Sequence, residues 1–227
     1  MNARKRPRSV TVYDLWKEQA ESDDSPLSLL PSSPHPWLGL SNGITELSGP
    51  GGSGKTQIAL SVCLQAAERG LHAVYLCLGG SLPKVLQRLD QMAGTTRRDL
   101  LHQILVRPVP HAEDLETLEL PERHDLLVVD SIADVYRSQE DSNYAARAKA
   151  LVQVAAKWKR ERPVLVLNQV AGDSLRPALG LVWAHCVDTS YRVNRRRLEL
   201  VKSPRYNAPQ TMDFEIRAEG VIVASEK

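Results

Sequence analysis

Eight consecutive residues, Gly49-Pro50-Gly51-Gly52-Ser53-Gly54-Lys55-Thr56, have the types and spacing of a phosphate-binding loop, G-x-x-x-x-G-K-[ST]. Glycines let successive backbone N–H groups converge on phosphate oxygens, where a Cβ would block the approach. Lys55 brings a mobile ammonium to β- and γ-phosphates, and the Thr56 hydroxyl is placed to ligate Mg²⁺. The loop is expected to open a helix, whose N-terminus favours an anion. Gln57 follows directly and joins the candidate nucleotide-binding set. A second group completes such a site: Asp130 closes the apolar run Leu126-Leu127-Val128-Val129. That run reads as a strand buried on both faces, and its carboxyl end is where doubly wound sheets place ligands. Asp130 is expected to orient Mg²⁺, mostly through water. Asn168-Gln169 ends a later apolar run. A side-chain amide there is placed to sense a γ-phosphate, with Gln169 the candidate; a merely polar strand end is the alternative. The ligands implied are ATP and Mg²⁺.

The surrounding elements suit that chemistry. Residues 44–47 read as a short buried strand, and residues 56–68 as a helix that stops at Gly70. Strand, loop and helix in this order is the context the motif needs. Further strands are expected at 71–78, 103–106, 126–130 and 163–167, and helices at 83–93 and 145–160. This alternation predicts an α/β fold, a mostly parallel twisted sheet with helices on both faces. After Gly180 the pattern changes to shorter segments at 186–193, 198–201, 213–217 and 221–224, read as an antiparallel extension. Residues 10–20 read as a short helix anchored by Tyr13, Leu15 and Trp16, and residues 22–36, rich in Ser, Asp and Pro, as a linker or irregular loop. The organisation expected is therefore a tail, short helix and linker over 1–42 and one core over 43–227.

Composition narrows the classes. The chain has 227 residues, enough for one α/β domain with a sizeable core. Its formal net charge is only +2, so any nucleic-acid contact must come from local patches. Aromatic residues are sparse, so base stacking is not advertised. Cys63, Cys77 and Cys186 lie far apart in apolar runs with no CxxC pair, which argues against a zinc site or disulfide framework and for a reducing compartment. No signal peptide or run of transmembrane length is read. The run Arg4-Lys5-Arg6-Pro7-Arg8 is a nuclear-import signal, a DNA-touching arm or a solvated tail.

Taken together, these residues resemble the RecA-type recombinase ATPases in their eukaryotic and archaeal branch. Gly43-Ile44-Thr45-Glu46-Leu47 and the loop through Lys55-Thr56-Gln57 resemble that branch's first strand and loop. Leu127-Val128-Val129-Asp130-Ser131 with Tyr136-Arg137 resembles its Walker B segment, and Leu167-Asn168-Gln169-Val170 its strand before the second DNA loop. Pro177-Ala178-Leu179-Gly180, Trp183, His185, Val187, Thr189, Lys202-Ser203-Pro204 and Glu219-Gly220-Val221 are similar to the recombinase paralogues, which assist the strand-exchange recombinase. The resemblance runs from Gly43 to the carboxyl terminus. It implies a RecA-like core and a nucleotide held between subunits, with His185, Lys202 and Pro204 facing a neighbour's nucleotide. A satisfied core histidine and a plain surface lysine are the competing readings. It also implies a nuclear hetero-oligomer with other paralogues and the recombinase on single-stranded DNA, in recombination and double-strand break repair.

Three departures temper this. The family's strand after the P-loop helix usually ends in a glutamate that activates water, and Gly79 stands in its place. Loss of such a base typically costs 10²–10⁴-fold, so hydrolysis is expected to be weak. Glu46 and Asp134 are the candidate substitutes. The DNA loops are short, which leaves phosphate contacts to Arg147, Arg176, Arg192, Arg195, Arg196 and Arg197. The Arg195-Arg196-Arg197 run is expected in a hairpin turn, as a phosphate contact or a solvated tip. No separate amino-terminal helical domain is read, and the Tyr13–Trp16 stretch either docks on an adjacent subunit or folds onto its own core. A P-loop kinase acting on a small substrate, and an interaction subunit with a vestigial nucleotide site, are the alternative functions.

Overall fold

A computed structural model describes residues 27–31, 33–137, 144–158, 162–170 and 177–224. The helix expected at 10–20 and the run at 4–8 lie outside the described residues. The first strand, β1 (Gly43–Gly49), feeds the phosphate loop, and the loop opens α1 (Lys55–Glu68). There follow β2 (Ala73–Leu78), α2 (Leu82–Ala93), β3 (Ile104–Val109), α3 (Ala112–Thr117), β4 (Leu126–Asp130), α4 (Ile132–Arg137), α5 (Tyr144–Trp158) and β5 (Pro163–Gln169). After α6 (Gly180–Cys186) come β6 (Thr189–Asn194), β7 (Arg197–Lys202), β8 (Gln210–Arg217) and β9 (Gly220–Val223).

These strands form one sheet in the order β3-β2-β4-β5-β1-β6-β7-β8-β9. The six from β3 to β6 run parallel, and β6 to β9 pair antiparallel. The α/β class and the antiparallel extension are as the alternation predicts. Parallel strands covered on both faces must be apolar on both, and β2 and β4 are buried almost throughout. One apolar cluster lies on the α1 and α2 face and contains Ile58, Val62, Tyr75 and Leu165. The other lies on the α5 and α6 face and contains Ile44, Leu127, Val166, Leu151 and Trp183.

Helix α1 is buried from Ile58 through Ala67, unlike a surface helix with one polar stripe. Its outer side is covered by β9, where the Val221 N–H donates to Ser61 Oγ at 2.9 Å. The carboxyl-terminal strands therefore lie over the helix that carries the phosphate loop.

The segment from Leu27 to Leu40 has little regular structure, in keeping with its Ser and Pro content. Its described residues form an irregular loop whose apolar side chains pack inward. Leu27, Leu29, Leu30, Trp37, Leu38 and Leu40 are buried in the α1-face cluster. The Ser28 N–H donates to Gln65 Oε1 on α1 at 2.7 Å, and the Tyr191 hydroxyl donates to the Trp37 carbonyl. Its apolar residues are spaced at neither helical nor strand period, so periodicity could not flag them. Two boundaries also differ. Cys186, expected in a strand, ends α6, because residues 180–186 place Trp183 into the core from a helix. Strand β3 runs on through Pro108, which the edge position allows because a ladder donor is not needed there.

The buried carboxylate of Glu46 ties the middle of the sheet to its neighbours. Its Oε1 accepts from Asn168 Nδ2 at 2.9 Å and Trp183 Nε1 at 2.7 Å, and its Oε2 from Ser190 Oγ at 3.1 Å. Glu46 is 2% exposed and thus joins β1, β5, α6 and β6 far from open solvent. Burial raises its pKa above the ordinary 4.5, while those three donors pull it down. Glu46→Ala leaves three buried donors without an acceptor and is expected to lower unfolding stability by about 3 kcal/mol. Because the folded pKa is raised, the native chain holds this proton to higher pH than the unfolded chain. This group's contribution therefore falls as pH rises from the ordinary carboxylate value through the raised one. Urea unfolding across that window checks both: the decline should be missing from Glu46→Gln, and a change in Glu46→Ala below about 0.5 kcal/mol would contradict the account.

Candidate functional site

The site forms where β1, β5, β4 and β2 end together. Parallel pairing sets Gly49 beside Gln169 and Cys77 beside Asp130, so residues distant in sequence share one edge. The loop leaves β1, turns through Gly54 at φ 111 and enters α1. Positive φ favours glycine there, and a Cβ on Gly54 would also lie 2.9 Å from Arg196 Nη1.

Lys55 is buried, and its Nζ donates to the Gly49 carbonyl at 2.8 Å and the Pro50 carbonyl at 2.9 Å. Burial lowers its pKa, and the carboxylates of Asp130 and Asp134 oppose that shift. A buried ammonium in a ring of backbone groups suits a polyanion. Asp130 Oδ2 accepts from Thr56 Oγ1 at 2.8 Å and from the Tyr75 hydroxyl at 2.5 Å. Burial raises the Asp130 pKa, while both hydroxyls and Lys55 draw it down. Thr56 and Asp130 thus present two hard oxygens side by side. No cluster of three metal-binding side chains exists among the described residues. Few protein ligands with the rest left to phosphate and water is what Mg²⁺ uses, so the donor set fits that ion.

Of the two candidate amides, only Gln169 faces this edge. Its Nε2 donates to Asp134 Oδ1 at 2.7 Å, and Ser131 Oγ donates to Asp134 Oδ2 at 2.6 Å. Asn168, one residue earlier and so on the opposite face, is fully buried against Glu46 and the Ala178 carbonyl. Glu46 is accordingly excluded as a water-activating base: it lies in the core with its oxygens engaged. Asp134 is half-buried beside Gly79.

A cleft of about 580 Å³ continues from the loop. Gly52, Gly54, Thr56 and Gln57 line one side, and Arg88, Arg196, Ile216 and Arg217 the other. Arg88 Nε donates to Gln57 Oε1 at 2.6 Å and its Nη2 to the Arg217 carbonyl at 2.6 Å, which fixes this wall. Tyr75, Arg88 and Arg196 were not legible as members of the site. Tyr75 and Arg88 arrive from elements whose sequence has no phosphate-binding pattern, and Arg196 from a run read as a contact for nucleic-acid phosphates.

The arginine run does sit in a hairpin turn. Arg195 and Arg196 have φ 46 and 67, the mirror-image turn that suits two-residue hairpins. The three side chains part company there. Arg196 faces the phosphate loop, and Arg197 is paired with Asp213 through Nε at 2.7 Å and Nη2 at 3.0 Å. Arg195 is exposed at the tip. Arg192 pairs with Glu199 at 3.1 Å. Arg176 and the side chain of Arg147 lie outside the described residues. His185 and Pro204 are exposed. Lys202 Nζ donates to the Val187 carbonyl at 2.6 Å and the Ala184 carbonyl at 3.1 Å, which caps the end of α6 in its own chain.

Comparison with known proteins bears on the family and the fold. The AAA domain family matches residues 15–168. The DNA repair protein XRCC3 of Bos taurus is 31% identical, over 79% of this chain and 68% of that protein. The DNA repair and recombination protein RadB of Methanococcus maripaludis strain C7 is 28% identical, over 81% and 93%. Among solved structures, the crystal structure of the RadB recombinase superposes with a TM-score of 0.66 at 23% identity, covering 82% of this chain and 92% of that one, a likeness of fold.

The position of Arg196 separates two roles for the arginine hairpin. Arg196→Ala is expected to weaken nucleotide binding about 3- to 10-fold at low salt, and less as salt rises. Affinity for single-stranded oligonucleotide should stay within about 2-fold. Nucleotide titration and oligonucleotide anisotropy on the same preparation decide between them: the reverse pattern would assign Arg196 to DNA.

Proposed function

The chain belongs to the AAA domain family and, within it, to the RecA-type recombinase paralogues, and from that premise we propose that it is an ATP-binding accessory subunit of homologous recombination and DNA repair. It assembles with other paralogues and the strand-exchange recombinase on single-stranded DNA, in the nucleus, and it hydrolyses ATP weakly. The observation that carries the nucleotide half is the joining of Lys55, Thr56 and Asp130 at one sheet edge, with the Thr56 hydroxyl 2.8 Å from the Asp130 carboxylate. A vestigial site would have no reason to hold a buried ammonium and a buried carboxylate in one place, since each costs desolvation.

The residues divide the work by chemistry. Loop N–H groups and Lys55 hold the phosphates, and Gln57, Arg88 and Arg196 close the cleft beyond them. Thr56 and Asp130 hold Mg²⁺, which when bound neutralises phosphate charge. Gln169 is the candidate γ-phosphate sensor and carries that state to Asp134 and α4. A ligand that favours one arrangement of these loops over another shifts the population toward it, which makes ATP an assembly signal. Exposed His185 and Pro204 are offered to a neighbouring subunit, and Arg195 to nucleic-acid phosphates.

For organisation, we propose a RecA-like core over residues 43–227 preceded by the 1–42 segment, with residues from Leu27 onward packed on the core. No helix among the described residues is long and apolar enough to cross a membrane.

The testing experiment is ATP affinity and turnover with Mg²⁺, wild type beside Lys55→Ala. We expect binding that Lys55→Ala loses, and turnover well below about 1 per second. Turnover of several per second would move the reading to an active NTPase. Absence of binding, alone and with a partner paralogue present, would leave an interaction subunit.

A further inference from the structure

Gly79 and Asp134 compete for one volume. Gly79 sits at φ 68, and a Cβ built on it would lie 2.8 Å from the Asp134 Cβ, closer than real contacts allow. A side chain at position 79 and the present one at 134 therefore exclude each other. Position 79 directly follows β2, the strand after the P-loop helix, and matches the place where the family resembled carries the glutamate that acts on water. In this chain the carboxylate in that corner belongs to Asp134, which arrives from the opposite wall, on α4.

We propose that Asp134 is the water-positioning carboxylate for what ATP hydrolysis this chain performs, a role transferred from the strand that ends near Gly79 to the helix after Asp130. The inference rests on the ATP-binding reading above. Three observations place the group. Gln169, the candidate γ-phosphate sensor, donates to Asp134 Oδ1 at 2.7 Å. Ser131, directly after the metal-side Asp130, donates to Oδ2 at 2.6 Å. Asp134 lies within electrostatic reach of the Lys55 ammonium, which it helps keep protonated. A carboxylate oxygen has two acceptor directions, so each Asp134 oxygen keeps one for a water. Gln169 and Ser131 hold its rotamer without using up its acceptor capacity.

The step balances simply. Asp134 accepts a hydrogen bond from one water molecule and fixes it in line with the γ-phosphorus. The water oxygen bonds to that phosphorus, and the bond from phosphorus to the β–γ bridging oxygen breaks, with its electron pair staying on ADP. The water proton passes to the Asp134 carboxylate and then to solvent, leaving inorganic phosphate. No redox partner or further reactant is needed. The side chain of Asp134 is shorter than a glutamate and already engaged by two donors.

The test pairs turnover with a binding readout. Asp134→Asn keeps shape and removes the charge, Asp134→Gly removes both together with the Cβ that a side chain at position 79 would meet, and Gly79→Glu in the Asp134→Gly background returns a carboxylate to the vacated corner. Single-turnover hydrolysis at saturating Mg²⁺-ATP is expected to fall about 10- to 100-fold in Asp134→Asn, with ATP affinity within about 3-fold of wild type. The Gly79→Glu/Asp134→Gly pair should recover part of the loss relative to Asp134→Gly, which a merely structural role for Asp134 would not produce. Calorimetric affinity for ADP with aluminium fluoride, a mimic of the transferring phosphoryl group, reads the same geometry without turnover. Wild type should bind it more tightly than ADP alone, and Asp134→Asn should lose that preference. Equal unfolding midpoints confirm that each variant is folded. Wild-type rate and preference in Asp134→Asn overturn the proposal while ATP binding stands, as does a wild type that binds ATP yet shows neither turnover nor the preference. Failure of wild type to bind ATP overturns the reading beneath it instead.

Discussion

Parallel hydrogen bonding between β1, β5 and β4 is the constraint from which the site follows. Gly43 to Gly49 pair in register with Pro163 to Gln169, and Val164 to Val166 with Leu127 to Val129. Parallel ladders hold their carboxyl ends at one edge, and three parts of the site leave from that edge: the phosphate loop from β1, Gln169 from β5, Asp130 from β4. A one-residue slip of β5 would exchange Asn168 and Gln169, turning the core-binding amide toward the phosphate loop and Gln169 into the core. Glu46 opposes such a slip. Its buried carboxylate is matched to Asn168, Trp183 and Ser190, so the register is tied to a polar network as well as to apolar faces.

That edge concentrates charge. Lys55, Asp130 and Asp134 lie within mutual reach in a partly desolvated corner. Burial alone would push the lysine toward neutrality and the aspartate toward protonation. Their proximity offsets part of this, and hydroxyls from Thr56 and Tyr75 offset more. The corner is held ready for a polyanion and a divalent cation, whose charges replace the internal pairing. Tyr75 has a structural share in this, since its phenol fixes the Asp130 oxygen that Thr56 also meets.

The carboxyl-terminal strands complete the site from outside the parallel sheet. Strand β9 lies over α1, and the β6–β7 hairpin delivers Arg196 to the loop. The nucleotide cleft therefore has walls from both halves of the chain, and one run of three arginines serves three ends. One faces the cleft, one holds the β7–β8 pair through Asp213, and one meets solvent.

Much of this was legible in the sequence. The G-x-x-x-x-G-K-[ST] pattern, the apolar run closing in Asp130 and the alternation of strands and helices specified the α/β class, the loop and the carboxylate that ends β4. These signals are local: phosphate chemistry dictates residue types at fixed spacing, and burial on both faces dictates apolar strands. What stayed hidden depends on groups brought together across the sheet. Leu27 to Leu40 follow no period because their burial is set by the α1 surface they cover. Glu46 is read equally well as a base or as a core residue until its neighbours are in place. Arg195, Arg196 and Arg197 are indistinguishable in a row, and only the turn between β6 and β7 decides where each points. Gly79 reads as a missing carboxylate, and only the approach of α4 to β2 shows that Asp134 stands in the same corner. The sequence alone determined which chemistry this chain is built for, because that chemistry constrains neighbours along the backbone. Tertiary structure decided which side chains stand together at the loop, because contacts between distant segments follow from packing and strand register.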